Sequence, residues 1–365
     1  MVIRVNRARL PFTRARRPNF PGPRYRPIVA MSTPTKPVRW GVLGYARIAR
    51  ENIIPAILRS SNSVLYALAS RDENKLAEAR TRCEFAKGYR SYEELLRDPD
   101  VDAVYIPLPN ALHVPWTLRA AACGKHVLCE KPLALTAGDC ERAIAECAAH
   151  GVLLMEAFMV RYTARSAAVA QVLRSGELGE LRFIHAEYRF RLTNPASIKL
   201  KPELGGGALY DVGCYAVDFV GLATDEVART ATGQPGAIGA NPDSVRVVSV
   251  LDGGVDVSFS ALLKYPGGLV AAVHCGFNSE KRIFAEIVGT AGVLEIGDWV
   301  SDEAGALALT TADGRKEIPF EASDRYRLEI EGFADAVQGR CPPRVRLVES
   351  ARNARVLEQL FAGIA

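Results

Sequence analysis

The chain has 365 residues, of which 48% are hydrophobic, 24% charged and 8% aromatic. This composition excludes disordered, collagen-like and disulfide-scaffold proteins, and the length suffices for two domains of ordinary size. Lysine and arginine number 46 against 41 aspartate and glutamate residues, which gives a formal net charge of +5. Taken alone, that charge would favour an anionic partner such as nucleic acid or a membrane surface.

The positive charge is concentrated at the amino terminus. Residues 1–30 hold eight arginines and no acidic residue, so the remainder carries 38 basic against 41 acidic side chains. Five prolines interrupt any amphipathic helix there, and no apolar run follows Arg16 and Arg17, which disfavours organellar and twin-arginine targeting. We interpret residues 1–37 as a basic Pro/Arg-rich extension, either a disordered arm or sequence upstream of a start at Met31. Organellar targeting and a nucleic-acid-binding arm are the weaker alternatives.

The cysteines and the hydropathy indicate the compartment. The eight cysteines form no CxxC pair, which predicts neither a zinc site nor a thioredoxin motif. Reduced thiols are typical of cytoplasmic proteins. No run of 18 apolar residues is present, so no membrane span is expected. We therefore expect a cytoplasmic protein with no bound metal and no membrane contact.

From Pro37 onward, short apolar strands alternate with helices. This rhythm is typical of βαβ units and predicts a doubly wound parallel Rossmann sheet over residues 38–157. Pro55 is expected to bend the first helix. The predicted strands are 38–44, 64–69, 86–89, 101–107, 126–129 and 152–155, and the predicted helices are about 48–58, 73 onward, 92–97, 113–123 and 137–149.

After residue 160 the pattern changes to that of an antiparallel sheet. Residues 184–191 alternate apolar and polar side chains, as a half-exposed strand does. Turn signals such as Asp252-Gly253-Gly254 then separate further strands, and two helices, about 326–337 and 347–362, close the chain. We predict an α+β domain over residues 158–365 with a large, mostly antiparallel, open-faced sheet.

The first strand leads into a candidate dinucleotide site. Against the fingerprint G-x-G-x-x-G/A, Gly44 takes the first position, Ala46 the second and Ala49 the third. The second position departs from the strict motif, but the run follows a strand and opens a helix, as a phosphate-binding turn does. The predicted cofactor-binding residues of this turn are Gly44, Tyr45, Ala46, Arg47 and Ile48.

The end of the second strand bears on the choice of cofactor. An NAD site places an acidic residue there to bind the ribose 2′-hydroxyl. This chain instead has Ser70 and Arg71, with Lys75 one turn further on, and these side chains suit a 2′-phosphate. Asp72 lies one position beyond the usual acidic residue, so NAD remains an alternative to the predicted NADP.

Two further segments carry candidate catalytic residues. Lys131, in Glu130-Lys131-Pro132, follows a strand of the parallel sheet and is expected to face the ligand crevice. The run Gly205-Gly206-Gly207 allows close backbone approach and precedes a helix. On that helix Asp211 and Tyr215 are four residues apart and share one face. A carboxylate and a phenol presented together suit a carbohydrate hydroxyl, one positioning and one transferring a proton.

These motifs, in this order, resemble the Gfo/Idh/MocA family. The matching elements are GVLGxAxIA, ASR, YIPLPNxLH, GKHVLCEKPLA, LLMEAFMxR and GGGALYDVGCY, and the resemblance runs from residue 38 to about residue 362. The tyrosine form of the last motif is similar to that of glucose–fructose oxidoreductase, NADP-dependent D-xylose dehydrogenases, dihydrodiol dehydrogenases and sugar 3-ketoreductases. Inositol dehydrogenases typically carry histidine there.

The resemblance implies an NADP-dependent oxidoreductase that exchanges a hydride with a sugar or diol, of the D-xylose (aldose) 1-dehydrogenase or trans-dihydrodiol dehydrogenase type. It implies that Tyr215 is the general acid/base, that Lys131 contacts the substrate hydroxyl and nicotinamide ribose, and that Asp211 orients the substrate. It also implies a homodimer or higher homo-oligomer formed through the open sheet. The residues implied on the cofactor side are Pro107, Leu108, Asn110 and His113 near the nicotinamide, and Glu130 near the ribose.

A second function from another class remains open at this stage. Because a fold does not fix a function, the same architecture could serve a catalytically inactive NAD(P)-sensing regulator. The presence of Lys131, Asp211 and Tyr215 favours the enzyme. The particular sugar or diol and the direction of the reaction are not defined by these residues.

Overall fold

The computed structural model describes residues 36–364. Most of the predicted basic extension, residues 1–35, lies outside the described residues. The described part contains two sheets and the helices that cover them. The strands of the first sheet are β1 (Val38–Leu43), β2 (Ser63–Ala69), β3 (Lys87–Tyr89), β4 (Ala103–Ile106), β5 (His126–Glu130) and β6 (Leu154–Ala157). The helices between them are α1 (Ile54–Arg59), α2 (Glu73–Arg82), α3 (Tyr92–Arg97), α4 (His113–Ala122) and α5 (Ala137–Ala149).

The first sheet confirms the predicted Rossmann topology. Its strands are all parallel and run in the order β3-β2-β1-β4-β5-β6. That order reverses between β1 and β4, and ligands of such sheets bind at this point, beside the carboxyl ends of the strands. Both faces are covered by helices, which is why the strands consist largely of buried apolar residues.

The first helix is interrupted where the sequence predicts a bend. A π-helical turn, Ala49–Ile53, precedes α1, and Pro55 lies in the first turn of α1. Proline lacks the N–H that an α-helix would use at this position, so the widened turn accommodates it without a lost hydrogen bond. The turn keeps the amino-terminal end of this helical segment beside Gly44, where the cofactor phosphates are expected.

The second sheet confirms the predicted antiparallel architecture. Its eight strands run in the order β14-β13-β12-β11-β7-β10-β9-β8, and only β7 and β10 pair in parallel. The strands are β7 (Leu181–Arg191), β8 (Ser244–Asp252), β9 (Val255–Lys264), β10 (Val270–Gly276), β11 (Asn278–Gly289), β12 (Gly292–Ile296), β13 (Gly305–Thr311) and β14 (Gly314–Phe320). The remaining helices are α6 (Ala164–Ser175), α7 (Cys214–Thr232), α8 (Arg325–Val337) and α9 (Leu347–Phe361).

One face of the second sheet is covered by α6 and α7, and the other is open. Ile184 and Ala186 of β7 point to the covered face and are fully buried. On the open face, Glu187, His274 and Val248 stand in one row across neighbouring strands. Val248 is 74% exposed there, so the row leaves apolar surface uncovered in the described chain.

The last two helices return to the first sheet's side of the molecule. α8 packs against α1, and α9 packs against α5. Asn62, before β2, donates to a carboxylate oxygen of Asp335 on α8 at 2.8 Å. Side-chain contacts therefore join the last two helices to the helices and the β2 entry of the first sheet. Within residues 36–364, no helix is long and apolar enough to cross a bilayer.

Candidate active site

A cavity of about 870 Å³ lies where the carboxyl ends of the first sheet meet the second sheet. Residues from both parts of the chain line it. The first sheet contributes Ala46, Arg47, Ile48, Pro107, Leu108, Asn110, His113, Glu130 and Lys131 to the lining, and the second part contributes, among others, Tyr188, Phe190, Lys199, Asp211, Tyr215 and Tyr326. Most of the predicted site residues are thus brought to one cavity.

The predicted phosphate turn has the required backbone. Gly44 has a φ of 109°, and a Cβ at this position would lie 3.2 Å from Oη of Tyr92, so glycine fits here and larger residues would be strained. Ala46, Arg47 and Ile48 follow at the edge of the cavity. The Tyr45 side chain belongs instead to the hydrophobic core, so only its backbone is available to a cofactor. This cradle fits a dinucleotide pyrophosphate at the start of a helix.

At the end of β2, Ser70 was predicted to bind a 2′-phosphate, but its hydroxyl is bonded to the backbone of Asp72. The Ser70 hydroxyl donates to the carbonyl of Asp72 at 3.0 Å and accepts the Asp72 N–H at 3.2 Å. The Asp72 carboxylate caps α2 by accepting N–H groups of Asn74 and Lys75. Asp72 therefore has a structural role, and the exposed cations of this corner are Arg71 and Lys75. The Arg71 guanidinium lies 5.6 Å from the centre of the Tyr92 ring.

Lys131 lies at the centre of the cavity. Its ammonium donates to the backbone carbonyl of Asp211 at 2.7 Å and lies 3.7 Å from Oδ1 of the same residue. It also stands over the Tyr215 ring, 4.6 Å from the ring centre. Burial lowers the pKa of Lys131, but Asp211 together with the acidic groups of Cys214, Glu130 and Tyr188 outweighs burial and raises the pKa above its ordinary value. Lys131 is therefore a cation at every physiological pH.

The loop that carries Lys131 is held from both sides. Glu130 accepts a hydrogen bond from the Tyr105 hydroxyl, and its other oxygen accepts the Lys131 N–H at 3.3 Å. Burial raises the pKa of Glu130. On the far side, Oε1 of Glu156 accepts the Leu133 N–H at 2.9 Å. The Lys131–Pro132 peptide bond is cis.

His113 connects two loops around the cavity. Its Nδ1 lies 2.7 Å from the Pro132 carbonyl and its Nε2 lies 2.8 Å from the Leu108 carbonyl. Burial lowers the pKa of His113 to about 4, while the two carbonyls act in the opposite direction because they favour a ring that carries a proton on each nitrogen. Asn110 acts similarly, donating to the Gly205 carbonyl at 2.8 Å. Both residues line the cavity as predicted, but these polar groups position loops within the protein.

Each glycine of the triple-glycine run approaches a different neighbour. A Cβ on Gly205 would lie 2.9 Å from the Leu135 side chain, and one on Gly206 would lie 2.6 Å from the Lys199 carbonyl. Gly207 has a φ of 111°, and its Cβ would lie 2.2 Å from Oδ1 of Asp256. The other oxygen of Asp256 accepts the Leu209 N–H at 2.7 Å and so fixes the start of the next helical segment.

Asp211 and Tyr215 lie on the helical segment that this run introduces. The segment begins as a π-helical turn, Leu209–Gly213, and continues as α7, which corrects the regular α-helix assumed from the spacing. Both residues nonetheless line the cavity. Burial raises the pKa of Asp211, but the ammoniums of Lys131 and Lys199 outweigh it and hold that pKa below its ordinary value.

Tyr215 is almost fully buried between aromatic side chains. The rings of Phe158 and Tyr188 lie 5.7 and 5.9 Å from its own ring, and its hydroxyl lies 3.4 Å from the Met159 sulfur. Burial, followed by the negative charge of Glu130, raises the pKa of Tyr215 well above its ordinary value. The phenol is therefore protonated and can act as a proton donor.

Sequence reasoning missed Lys199, Tyr188 and Tyr326 as cavity residues. Lys199 lies in a turn without a recognisable motif. Tyr188 could have been found, because the alternation of residues 184–191 that indicates a strand also places every second side chain, including Tyr188, on the covered face. Tyr326 comes from α8, which reaches the cavity from 195 positions beyond Lys131, and no local signal predicts that. Among residues 36–364, no group of three or more His, Cys, Asp or Glu side chains could hold a metal ion.

The geometry agrees with comparisons to known proteins. The family model "Oxidoreductase family, NAD-binding Rossmann fold" matches residues 38–158, and the model "GFO/IDH/MocA C-terminal domain" matches residues 166–295. D-xylose 1-dehydrogenase (NADP(+)) 2 of Haloferax volcanii is 37% identical over 326 residues, 88% of this chain and 96% of that protein. Trans-1,2-dihydrobenzene-1,2-diol dehydrogenase of Mus musculus is 33% identical over 286 residues, 77% of this chain and 80% of that protein.

A solved structure shows the same architecture. A 3-ketoreductase from Actinomadura kijaniata, in complex with NADP and TDP-benzene, superposes with a TM-score of 0.79 at 30% identity, covering 90% of this chain and 98% of that one. The fold and the cavity define a nicotinamide-nucleotide-dependent oxidoreductase. The chain belongs to the Gfo/Idh/MocA family, which confirms the resemblance stated from its motifs.

Proposed function

We propose that this protein transfers a hydride between NADP and a carbinol or carbonyl carbon of a sugar or related diol. One observation carries the proposal: Lys131, Asp211 and Tyr215 converge in one cavity that also reaches the dinucleotide turn. A sensing protein would not need a buried ammonium that contacts both a carboxylate and the ring of a phenol. No observation favours the inactive alternative.

The side chains have distinct roles in this reaction. The nicotinamide, when bound, supplies or accepts the hydride. In carbonyl reduction, Tyr215 donates the proton, because burial keeps its phenol protonated. Lys131 places a fixed positive charge where the substrate oxygen becomes negative, and Asp211 holds that ammonium in place. In oxidation the same groups act in reverse: Tyr215 must first release its own proton, and its phenolate then accepts the proton of the substrate hydroxyl, so oxidation needs the ionised form that burial disfavours.

Four residues support NADP over NAD. Arg71 and Lys75 are exposed cations at the end of β2, where the 2′-substituent of the ribose is expected. Asp72, the acidic residue that could have bound a 2′-hydroxyl, is engaged as the cap of α2. Ser70 holds that corner through the backbone of Asp72. The names of the Haloferax volcanii and Actinomadura kijaniata relatives also mention NADP.

The proposed substrate is a D-xylose-like aldose oxidised at C1, or a trans-dihydrodiol, as in the relatives named above. We also propose a cofactor domain over residues 38–157 and a substrate domain over residues 158–365. The open face of the second sheet supports a homodimer, because Val248, Val250 and Leu262 are 74%, 54% and 51% exposed there. All eight cysteines are unpaired, which supports a reducing, cytoplasmic setting.

The test is a panel of aldoses, ketosugars and trans-dihydrodiols, followed by cofactor absorbance with NADP and NAD separately. The matched variants are Lys131→Met and, as a control, Lys264→Met, which removes an exposed lysine remote from the cavity. We expect Lys131→Met to lower kcat by roughly 10³-fold or more, since it removes charge stabilisation and positioning together. NADPH binding, measured by fluorescence, should persist. A wild-type chain that binds NADPH but turns over no member of the panel would refute the proposal.

A further inference from the structure

The Asp211 carboxylate is held by two lysines, and the mechanism above uses only one. Lys131 faces Oδ1 at 3.7 Å, and Lys199 forms an ion pair with Oδ2. Lys199 lines the same cavity, and 29% of its side chain is exposed. A second ammonium therefore lies on the other side of the Asp211 carboxylate, in the same cavity as the first.

The fold holds Lys199 in this place. It lies in the short turn Ile198–Leu200, where the Ser197 hydroxyl accepts its N–H at 3.3 Å. Its carbonyl accepts the Gly207 N–H at 2.9 Å, and a Cβ on Gly206 would lie 2.6 Å from that carbonyl. The glycine run thus lets the Lys199 turn pack directly against the start of the segment that carries Asp211.

The local charge leaves Lys199 available for a ligand. Two ammoniums share one carboxylate, so the cluster keeps one positive charge when Tyr215 is neutral. An ammonium has three N–H donors, and a single ion pair with Asp211 does not use them all. The ammonium also lies 5.3 Å from the centre of the Phe190 ring, at the cavity wall. Lys199 can therefore donate to a substrate oxygen without leaving Asp211.

We propose that Lys199, together with Asp211, binds the hydroxyl group on the carbon next to the reacting carbon. The inference rests on the proposed function, in which Lys131 and Tyr215 take the reacting oxygen. Lys131 and Lys199 flank the same carboxylate and line the same cavity, so a substrate whose reacting oxygen lies at Lys131 can present the oxygen of the next carbon to Lys199. The substrate class is then a vicinal diol or an α-hydroxy carbonyl compound, and Lys199 determines that specificity.

The test combines two enzymes with two substrates. The substrates are D-xylose and 2-deoxy-D-xylose, which differ only in the hydroxyl beside C1. The variant is Lys199→Met, and the control is Lys201→Met, which removes an exposed lysine two positions away. We expect Lys199→Met to lower kcat/KM for D-xylose by roughly 10²-fold and to change kcat/KM for the deoxy sugar less than threefold. The reason is that Lys199 can favour D-xylose only through the hydroxyl beside C1, which the deoxy sugar lacks. Lys199→Arg should restore part of the loss.

Two outcomes overturn the inference. A loss of equal size on both substrates would show that Lys199 only supports the structure, and no loss on either would show that it does not bind substrate. If the wild-type chain is inactive on both sugars, the proposed function fails first, and calorimetric dissociation constants in the presence of NADPH decide on Lys199. The inference then requires tighter binding of D-xylose than of the deoxy sugar, and loss of that difference in Lys199→Met; equal dissociation constants in the wild type overturn it.

Discussion

Glu156→Gln should change how stability depends on pH. Glu156 lies in β6, only 3% exposed, and its Oε1 accepts the Leu133 N–H at 2.9 Å. Burial raises the pKa of Glu156 from 4.5 to about 7, even with that hydrogen bond. Glutamine retains the acceptor oxygen and nearly the same volume, so the substitution removes the titration and little else. Glu156 is a useful test position because its carboxylate accepts a hydrogen bond from the loop that carries Lys131.

The sign and size follow from proton linkage. Between the unfolded and folded pKa values, the folded chain keeps a proton that the unfolded chain releases, so stability falls as pH rises. Below pH 4.5 both states are protonated and no penalty exists. From pH 5 to pH 8, a pKa of about 7 in the fold corresponds to a loss of about 2.5 kcal/mol in the free energy of unfolding. The glutamine variant escapes this loss.

The assay is urea unfolding of both chains at pH 5, 6, 7 and 8. All other titrating groups are shared, so their contributions cancel in the difference between the two chains. We expect the free energy of unfolding of Glu156→Gln, relative to the wild type, to rise by about 2.5 kcal/mol over this range. A constant offset between the chains would mean only that the amide packs differently. Parallel pH profiles would therefore refute the linkage.

Two further predictions concern the glycine run and the cofactor. Gly207→Ala should lower the free energy of unfolding by roughly 2–4 kcal/mol in urea, because the φ of Gly207 is 111° and the new Cβ would meet Asp256. The control Gly253→Ala, where φ is 59° and the surrounding space is open, should lose only about 1 kcal/mol. Equal losses in the two variants would contradict the clash with Asp256. Arg71→Ala should weaken NADPH binding roughly tenfold or more and leave NADH binding unchanged, whereas the control Arg142→Ala, an exposed arginine on α5, should alter neither. An equal effect of Arg71→Ala on both cofactors would contradict the assignment.

Helices with strong local signals could be predicted from the sequence to the residue. The predicted bounds 92–97 and 137–149 are those of α3 and α5. Each follows a residue whose hydroxyl caps the helix, Ser91 in one case and Thr136 in the other. The caps fix the first residue, and the apolar periodicity fixes the length.

β6 shows where local pattern was insufficient. The sequence predicts a strand over 152–155, and the structure places it at Leu154–Ala157. The strand begins two residues later than predicted and includes Glu156, a buried charged residue that lies beyond the apolar run 152–155. The loop that carries Lys131 supplies the N–H that makes this burial possible. The interaction that extends β6 through Glu156 is therefore a tertiary one, with a residue 23 positions earlier in the chain, and the local sequence does not show it.

At the candidate site, the glycine run could be interpreted only in part from the local sequence. Three consecutive glycines predict that something approaches the backbone closely, but they do not say what approaches. The sequence left the approaching group open, and the structure shows that the neighbours are Leu135, the Lys199 turn and Asp256. The Lys199 turn matters most, because it brings a second cation to Asp211. Two ammoniums on one carboxylate make this cluster net positive, but burial and then the charge of Glu130 still raise the pKa of Tyr215, so the phenol stays protonated.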